Sequence, residues 1–77
     1  MNIKIYQNNA VIFSSLGAID IDLGLDSVDD YSNRIVELDL AEDAFYCELS
    51  GHGINGKELR EAIDRLVDAF DSRINWN

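Results

Sequence analysis

The sequence predicts an α+β fold, in which an antiparallel sheet of four to five strands, built as two hairpins, carries one C-terminal amphipathic helix on one face. Three observations support this prediction. Apolar and polar residues alternate through the first two-thirds of the chain, and a capped apolar stripe with helical spacing fills the last third. No proline, repeat or linker-like stretch divides the 77 residues. A single domain, residues 1–77, is therefore expected.

The first hairpin is predicted to pair residues 2–7 with residues 10–16 across a turn at Asn8 and Asn9. Asparagine tolerates the left-handed backbone geometry of tight turns, and the residues on both sides alternate in polarity. Residues 18–24 predict a further half-buried strand, with isoleucine and leucine facing the core and aspartate facing solvent. The inward residues are Ile19, Ile21 and Leu23, and the outward ones are Asp20 and Asp22.

A polar loop is predicted at residues 25–33, with one helical turn capped by Asp26 or Ser27. Alternation then resumes and predicts a second hairpin, from residues 36–40 and 45–49 around a turn at 41–44. The core-facing residues would be Val36, Leu38, Leu40, Phe45, Cys47 and Leu49. The residues on the open face would be Glu37, Asp39, Tyr46 and Glu48, in line with Tyr6, Asp20 and Asp22.

The helix from Asn55 to Ser72 has the strongest local signals. Asn55 and Glu58 have the spacing of a capping box, and Ile54 and Leu59 that of a hydrophobic staple. The stripe that would lie across the sheet is Leu59, Ala62, Ile63, Leu66, Val67, Phe70 and Ile74. The opposite face has an acidic row of Glu61, Asp64, Asp68 and Asp71. After the helix, Ile74 and Trp76 are expected to pack the tail onto the domain, with a binding anchor as the alternative role of Trp76.

Charge and composition narrow the classes of function. The chain has 15 acidic against 6 basic residues, a net charge of -9, which disfavours nucleic acid and anionic lipid as direct partners. No apolar run approaches the roughly 20 residues of a membrane span. The single cysteine, Cys47, and the lack of a secretory signal favour the cytoplasm, or the host cytoplasm for a phage-encoded protein.

A glycine motif resembling a phosphate-binding loop precedes the helix. Gly51, Gly53 and Gly56 spell G-x-G-x-x-G, and the stretch from Gly51 to Lys57 reads G-x-x-x-x-G-K. Glu58 stands where a hydroxyl would hold magnesium, and too few residues follow for a second parallel strand. We therefore interpret the glycines as a turn that requires positive backbone angles, and His52 as a solvated turn residue.

Two further patterns fail as chemical sites. The run of Asp20, Asp22, Asp26, Asp29 and Asp30 does not fit a calcium loop, because Gly24, Leu25 and Tyr31 occupy positions that need an acid or amide, a glycine and a glutamate. Paired carboxylates are plentiful, but all are predicted on outward faces. No cleft there would raise the pKa of one carboxyl group while its neighbour stays ionised. We expect a protein that is not an enzyme, with no catalytic, cofactor-binding or metal-binding residue.

The predicted site is instead an acidic surface with aromatic anchors that binds a basic partner. Its candidate partner-binding residues are Asp20, Asp22, Glu37, Asp39, Tyr46, Glu48, Glu61, Asp64, Asp68 and Asp71. Outward strand positions lie about 6.8 Å apart and helix neighbours about 5 to 6 Å apart, so these rows resemble a sparse phosphate backbone. A basic groove built for nucleic acid could accept them.

In size, charge and layout, with acids at Glu61, Asp64, Asp68 and Asp71 on a terminal helix, the chain resembles the small acidic inhibitors made by bacteriophages, including anti-CRISPR proteins and other DNA mimics. This resemblance implies an inhibitor that binds a nucleoprotein effector or a nuclease and blocks its target DNA. Bacterial toxin-immunity proteins, which neutralise basic nucleases, are the alternative. A ligand-binding or accessory module that uses the glycine loop, or an acidic charge that serves only solubility, also stays open, as does the oligomeric state.

Overall fold

Three strands and two long helices follow one another in the structure, a computed structural model that describes residues 2–29 and 32–76. The fold is α+β, but the predicted sheet of four to five strands with a single helix is wrong. The elements are β1 (Asn2–Ile5), β2 (Asn9–Ser14), β3 (Gly17–Asp22), a 3-10 turn (Leu25–Ser27), α1 (Arg34–Gly51) and α2 (Gly56–Arg73).

The sheet is an antiparallel meander in the order β1-β2-β3. Its register aligns Ile3, Ile12 and Ile19 across the three strands, and all three side chains are buried. The predicted alternation of the third strand is confirmed, because its inward residues Ile21 and Leu23 are also buried. Successive strand residues point to opposite faces, so one face of the sheet receives the helices and the other faces solvent.

The first turn differs from its predicted geometry. Asn9 is the first residue of β2 and not a turn residue, and its carbonyl accepts a hydrogen bond from the Tyr6 amide at 2.8 Å. Within residues 2–29 and 32–76, every residue with a positive φ is a glycine. The tolerance of asparagine for the left-handed region is therefore not used here.

The helical turn expected in the polar loop is confirmed at Leu25–Ser27, but neither Asp26 nor Ser27 caps it. Gly24 occupies the capping position with a φ of 74°, a left-handed conformation that suits glycine. Its carbonyl accepts a hydrogen bond from the Ser27 hydroxyl at 2.7 Å, which closes the turn.

The predicted second hairpin is wrong, because residues 34–51 form helix α1. The side-chain oxygen of Asn33 accepts hydrogen bonds from the amides of Ile35 and Val36, at 3.0 and 3.3 Å, and so caps the helix. Glutamate, leucine and alanine, which favour helices, supply eight of the 18 residues, and the presumed turn at 41–44 contains no glycine, proline or asparagine. Ala41, Phe45 and Leu49 share one helical face, but Val36 and Leu40 lie outside it and are exposed, so the apolar pattern of this segment favours alternation. Helical propensity and the Asn33 cap outweigh that pattern.

The helix assignment changes which side chains of this segment reach the core. Phe45 and Leu49, four residues apart, are buried as predicted, and Ala41 joins them. Val36, Leu40 and Cys47, which the hairpin would have buried, are exposed.

Helix α2 confirms the predicted stripe. Its buried residues are Leu59, Ala62, Ile63, Leu66, Ala69 and Phe70, while Val67 and Ile74 are partly buried against the same core. Asn55 is at the N-cap position, yet its side chain makes no capping hydrogen bond. The chain enters the helix through Gly56 with a φ of 62°, whereas a capping box needs helical backbone angles directly after the cap.

The two helices run antiparallel, joined by the short connection 52–55, and share one core with the inner face of the sheet. The rings of Phe45 and Phe70 meet edge to face, with centroids 6.4 Å apart and an interplanar angle of 79°. Ile74 and Trp76 pack against this core as predicted. The result is two layers, with the helices on one side and an open sheet face on the other.

Candidate protein-interaction surface

Helix α2 presents most of its predicted acidic row to solvent. Glu61, Asp64 and Asp68 are exposed and lie opposite the buried stripe of the helix. The guanidinium of Arg60 approaches Asp64 at 3.5 Å and Glu42 of α1 at 3.4 Å. Exposed pairs of this length contribute little to stability, so these carboxylates stay available to a partner.

Asp71, the last member of the row, has a structural role. Its carboxylate accepts two hydrogen bonds from Arg34 at the start of α1, at 3.0 and 2.6 Å, and one from the indole of Trp76 at 2.8 Å. The hydrogen bonds from Arg34 and then Trp76 hold the pKa of Asp71 below its usual value. Asp71 thus joins the start of α1, the end of α2 and the tail.

Helix α1 carries the acids that the sequence had assigned to the open face of the sheet. Asp39 and Glu48 are exposed and Glu37 is half-buried, all three on the helix together with the exposed Tyr46. Asp43, which sequence reasoning placed in a turn, is also exposed, one helical turn after Asp39. A helical interpretation of the segment would have predicted that Asp43 is exposed.

Five exposed carboxylates therefore lie on the outside of the helical layer. We call this surface the outer helical face; it consists of Asp39, Asp43, Glu61, Asp64 and Asp68. Among residues 2–29 and 32–76, the salt bridges involve Asp71, Glu42 and Asp64, which leaves four of these five carboxylates without one. Lys57, Arg60 and Arg65 are the exposed bases of α2, and the first two lie near its start.

The open face of the sheet is not the predicted acidic field. Asp20 and Asp22 are exposed on β3, but Asp20 lies in register with Val11 and, across β2, with Lys4. The ammonium of Lys4 lies 5.9 Å from the centre of the exposed Phe13 ring. This face is mixed in charge and partly apolar, because the acids of the supposed second hairpin are elsewhere.

Both β3 aspartates also have local hydrogen-bond partners. Asp20 accepts a hydrogen bond from the side-chain amide of Asn9 at 2.7 Å. Asp22 accepts one from the backbone amide of Gly24 at 2.8 Å, which helps form the turn after the strand. Each carboxylate keeps further acceptor sites for a partner.

The two arginines toward the end of α2 bind the backbone of the first hairpin. Arg73 donates from Nε to the carbonyls of Tyr6 and Gln7, each at 3.1 Å, and Arg65 reaches the carbonyl of Ile3 at 3.5 Å. These contacts place both guanidinium groups on the side of α2 that faces the sheet. The outer helical face keeps its negative character.

A groove of about 400 Å³ opens between α1 and the segment that follows β3. Its floor contains the buried side chains of Leu23, Phe45 and Phe70, and its α1 wall contains Leu40 and Ala44. Three predicted site residues from distant parts of the sequence also line it: Asp22, Glu37 and Glu48. We call this feature the α1 groove. Sequence reasoning missed it, because the hairpin interpretation buried Leu40 in the core.

The glycine motif joins two helices and does not follow a strand. Gly51 ends α1, while Gly53 and Gly56 have φ values of 88° and 62°, the positive angles that the turn interpretation required. His52 is exposed, and its amide donates to the carbonyls of Glu48 and Leu49. A phosphate-binding loop needs a preceding strand, so the motif lacks the context that gives it meaning.

No group of three or more histidine, cysteine, aspartate or glutamate side chains within residues 2–29 and 32–76 is arranged to hold a metal ion. Asp30 and Tyr31, which belong to the acid-rich run considered for calcium, lie outside the described residues. In the described part of the chain, neither helix combines the length and apolarity of a bilayer span.

Comparison of the chain with protein families, with curated proteins and with solved structures found no match. The geometry and charge of the surfaces described above are therefore the basis for assigning a function.

Proposed function

We propose that this protein is a small acidic interaction module that inhibits a partner by occupying its basic nucleic-acid-binding surface, in the manner of an anti-CRISPR-like DNA mimic. It acts by binding and not by catalysis, in the cytoplasm or, for a phage-encoded protein, in the host cytoplasm. The observation that supports this proposal most is the outer helical face, where five carboxylates on two adjacent helices are exposed.

The spacing of these carboxylates suits pairing with a partner surface that binds phosphates. A helix rises about 1.5 Å per residue, so Glu61, Asp64 and Asp68 follow one another at steps of roughly 4.5 and 6 Å along α2. Asp39 and Asp43 form a second row on α1, at an interhelical distance of roughly 8 to 10 Å. Arginine and lysine side chains that contact two DNA strands could pair with two such rows.

The overall shape is compatible with this role. The molecule extends 39 Å along its longest axis and 21 and 16 Å across it. The acidic rows cover part of that length: Glu61 to Asp68 spans roughly 10.5 Å along α2, the spacing of about three phosphates of one strand. A net charge of -9 would steer such a body quickly to a cationic groove and exclude nucleic acid by occupancy.

A binding competition tests the proposal. Purified nucleoprotein effectors and nucleases, each with a labelled DNA target, are titrated with the wild-type protein and with a triple variant, Glu61→Gln, Asp64→Asn, Asp68→Asn. We expect the wild type to displace DNA from at least one of them, and the triple variant to need about tenfold more protein or more.

A matched control distinguishes the effect of losing negative charge from the effect of the position at which it is lost. Asp26→Asn, Asp29→Asn, Glu58→Gln removes the same number of charges, from exposed residues outside the outer helical face and the α1 groove. It should retain most of the inhibition. Equal loss in both triple variants, or no displacement by the wild type anywhere in the panel, would refute the proposal. Displacement confined to a nuclease toxin would favour the alternative of an immunity protein.

A further inference from the structure

We infer that the α1 groove is a docking site for a positively charged amphipathic segment of the partner protein. An apolar side chain of that segment would enter between Leu40 and Leu23, while its lysine or arginine side chains reach Glu37 and Glu48. This inference rests on the proposed function and deepens it: the outer helical face supplies charge, and the α1 groove supplies the contact that selects the partner.

The apolar part of the groove is accessible to solvent, and its floor is preformed. Leu23, Phe45 and Phe70 are no more than 3% exposed, so the floor is part of the core and does not need to form on binding. Leu40, in contrast, is 57% exposed on the wall. The volume of about 400 Å³ lies within the range of about 300 to 1,000 Å³ that binding pockets occupy.

Charge identifies the occupant. Asp22, Glu37 and Glu48 line the same groove and come from two separate elements, and no lysine, arginine or histidine of the described residues lines it. An apolar floor with an acidic margin complements a segment that has apolar residues on one side and bases beside them. A second copy of this chain would bring like charges together in this groove, because each copy has the same acids.

Two synthetic peptides of equal length and equal arginine content serve as probes. In one, leucines at helical spacing form an apolar stripe between the arginines; in the other, serines replace the leucines. We expect the leucine peptide to bind about tenfold more tightly, since an inserted apolar anchor adds to the shared electrostatic attraction. NMR amide shifts at Leu23, Leu40 and Ala44 should report its position.

Two double variants with the same loss of charge test the acids. Glu37→Gln with Glu48→Gln should weaken binding of the leucine peptide by about tenfold, since these side chains line the groove. Asp29→Asn with Glu58→Gln, exposed but outside both the groove and the outer helical face, should weaken it by no more than about threefold. Ala44→Trp, which fills the groove, should abolish the advantage of the leucine peptide, whereas Ser50→Trp should leave it intact.

The outcomes separate this inference from the proposed function. Equal binding of both peptides, or equal weakening by both double variants, would overturn the α1 groove as the docking site while leaving charge-driven binding in place. Binding that depends on neither salt nor the acids would contradict the proposed function as well. A concentration-dependent dimer in sedimentation that Ala44→Trp dissociates would also overturn the inference, because the occupant would then be a second copy.

Discussion

In the sequence, Asp71 has the pattern of a solvent-exposed acid. In the fold, its carboxylate links three segments of the chain. Asp71 has the same helical spacing as Asp64 and Asp68, but it also lies beside Arg34, which is 37 residues away in the sequence. That contact depends on the packing of α1 against α2, and no local pattern indicates it. Within the acidic row, the pairing of Asp71 is the feature that the sequence alone does not predict.

Replacement of Asp71 by asparagine should lower the melting temperature at neutral pH. Asp71 has a depressed pKa, so its stabilising contribution is complete above the unfolded value of about 3.9 and is lost as the pH falls through the lower folded value. The difference in melting temperature between wild type and Asp71→Asn should stay constant from pH 7 to about 5 and shrink below about pH 4. Circular dichroism melts across this pH range measure it.

Asp68→Asn is the control, because it removes the same charge from an exposed position on the same helix. It should leave the melting temperature unchanged or raise it slightly by reducing repulsion. Equal effects of the two substitutions at every pH would show that Arg34 and Trp76 do not stabilise the fold through Asp71.

Gly53 and Gly51 make a second matched pair. Gly53 has a φ of 88°, and a Cβ there would come within 3.2 Å of the Leu16 side chain. Gly51 has no positive φ, ends a helix and has open space around it. Gly53→Ala should therefore lower the free energy of unfolding by about 1 to 2 kcal/mol, and Gly51→Ala should raise it or leave it unchanged. Urea denaturation measures both, and a neutral Gly53→Ala would contradict the described turn.

At the scale of elements, the sequence predicts some parts of this fold well and misses one. The third strand and α2 are correct because each has a single consistent period: Ile19, Ile21 and Leu23 alternate, and Leu59, Leu66 and Phe70 share one helical face. Residues 34–51 have no single period, since Phe45 and Leu49 fit both patterns while Val36 and Leu40 are exposed on the helix. Propensity and the Asn33 cap favour the helix there, and they outweigh alternation.

The same segment determines how much of the candidate site could be foreseen. Apart from Asp71, the predicted acids of α2 and β3 are exposed as expected, because their elements were correct. Glu37, Asp39 and Glu48 were expected beside Asp20 on a sheet, and the structure places them on a helix instead. The α1 groove could not be predicted, because it needs both the helix and its distance from the segment after β3.

Two leucines of α1 distinguish the helix from the predicted hairpin in solution. Leu49 is fully buried and Leu40 is 57% exposed, whereas the hairpin would have buried both. Leu49→Ala should cost about 2 to 5 kcal/mol of unfolding free energy, and Leu40→Ala less than about 0.5 kcal/mol. Urea denaturation of the two variants measures these values. Comparable losses would contradict the assignment of α1.

Across the whole molecule, negative charge is concentrated on the helical layer without being confined to it. Arg34, Arg65 and Arg73 donate hydrogen bonds within the fold, while Lys57 and Arg60 are exposed beside the acids of α2. Repulsion within that layer opposes folding modestly, and the shared apolar core offsets it. Such an arrangement favours binding that is fast, sensitive to salt and directed by one side of the protein.

The most direct test of this account is the salt dependence of binding to a partner that the protein displaces from DNA. We expect the association rate to fall by about tenfold or more as ionic strength rises from low to above physiological levels. The Glu61→Gln, Asp64→Asn, Asp68→Asn variant should begin with a lower rate and respond less to salt. A rate that is insensitive to salt and unchanged in this variant would contradict the claim that the carboxylates of the outer helical face drive binding.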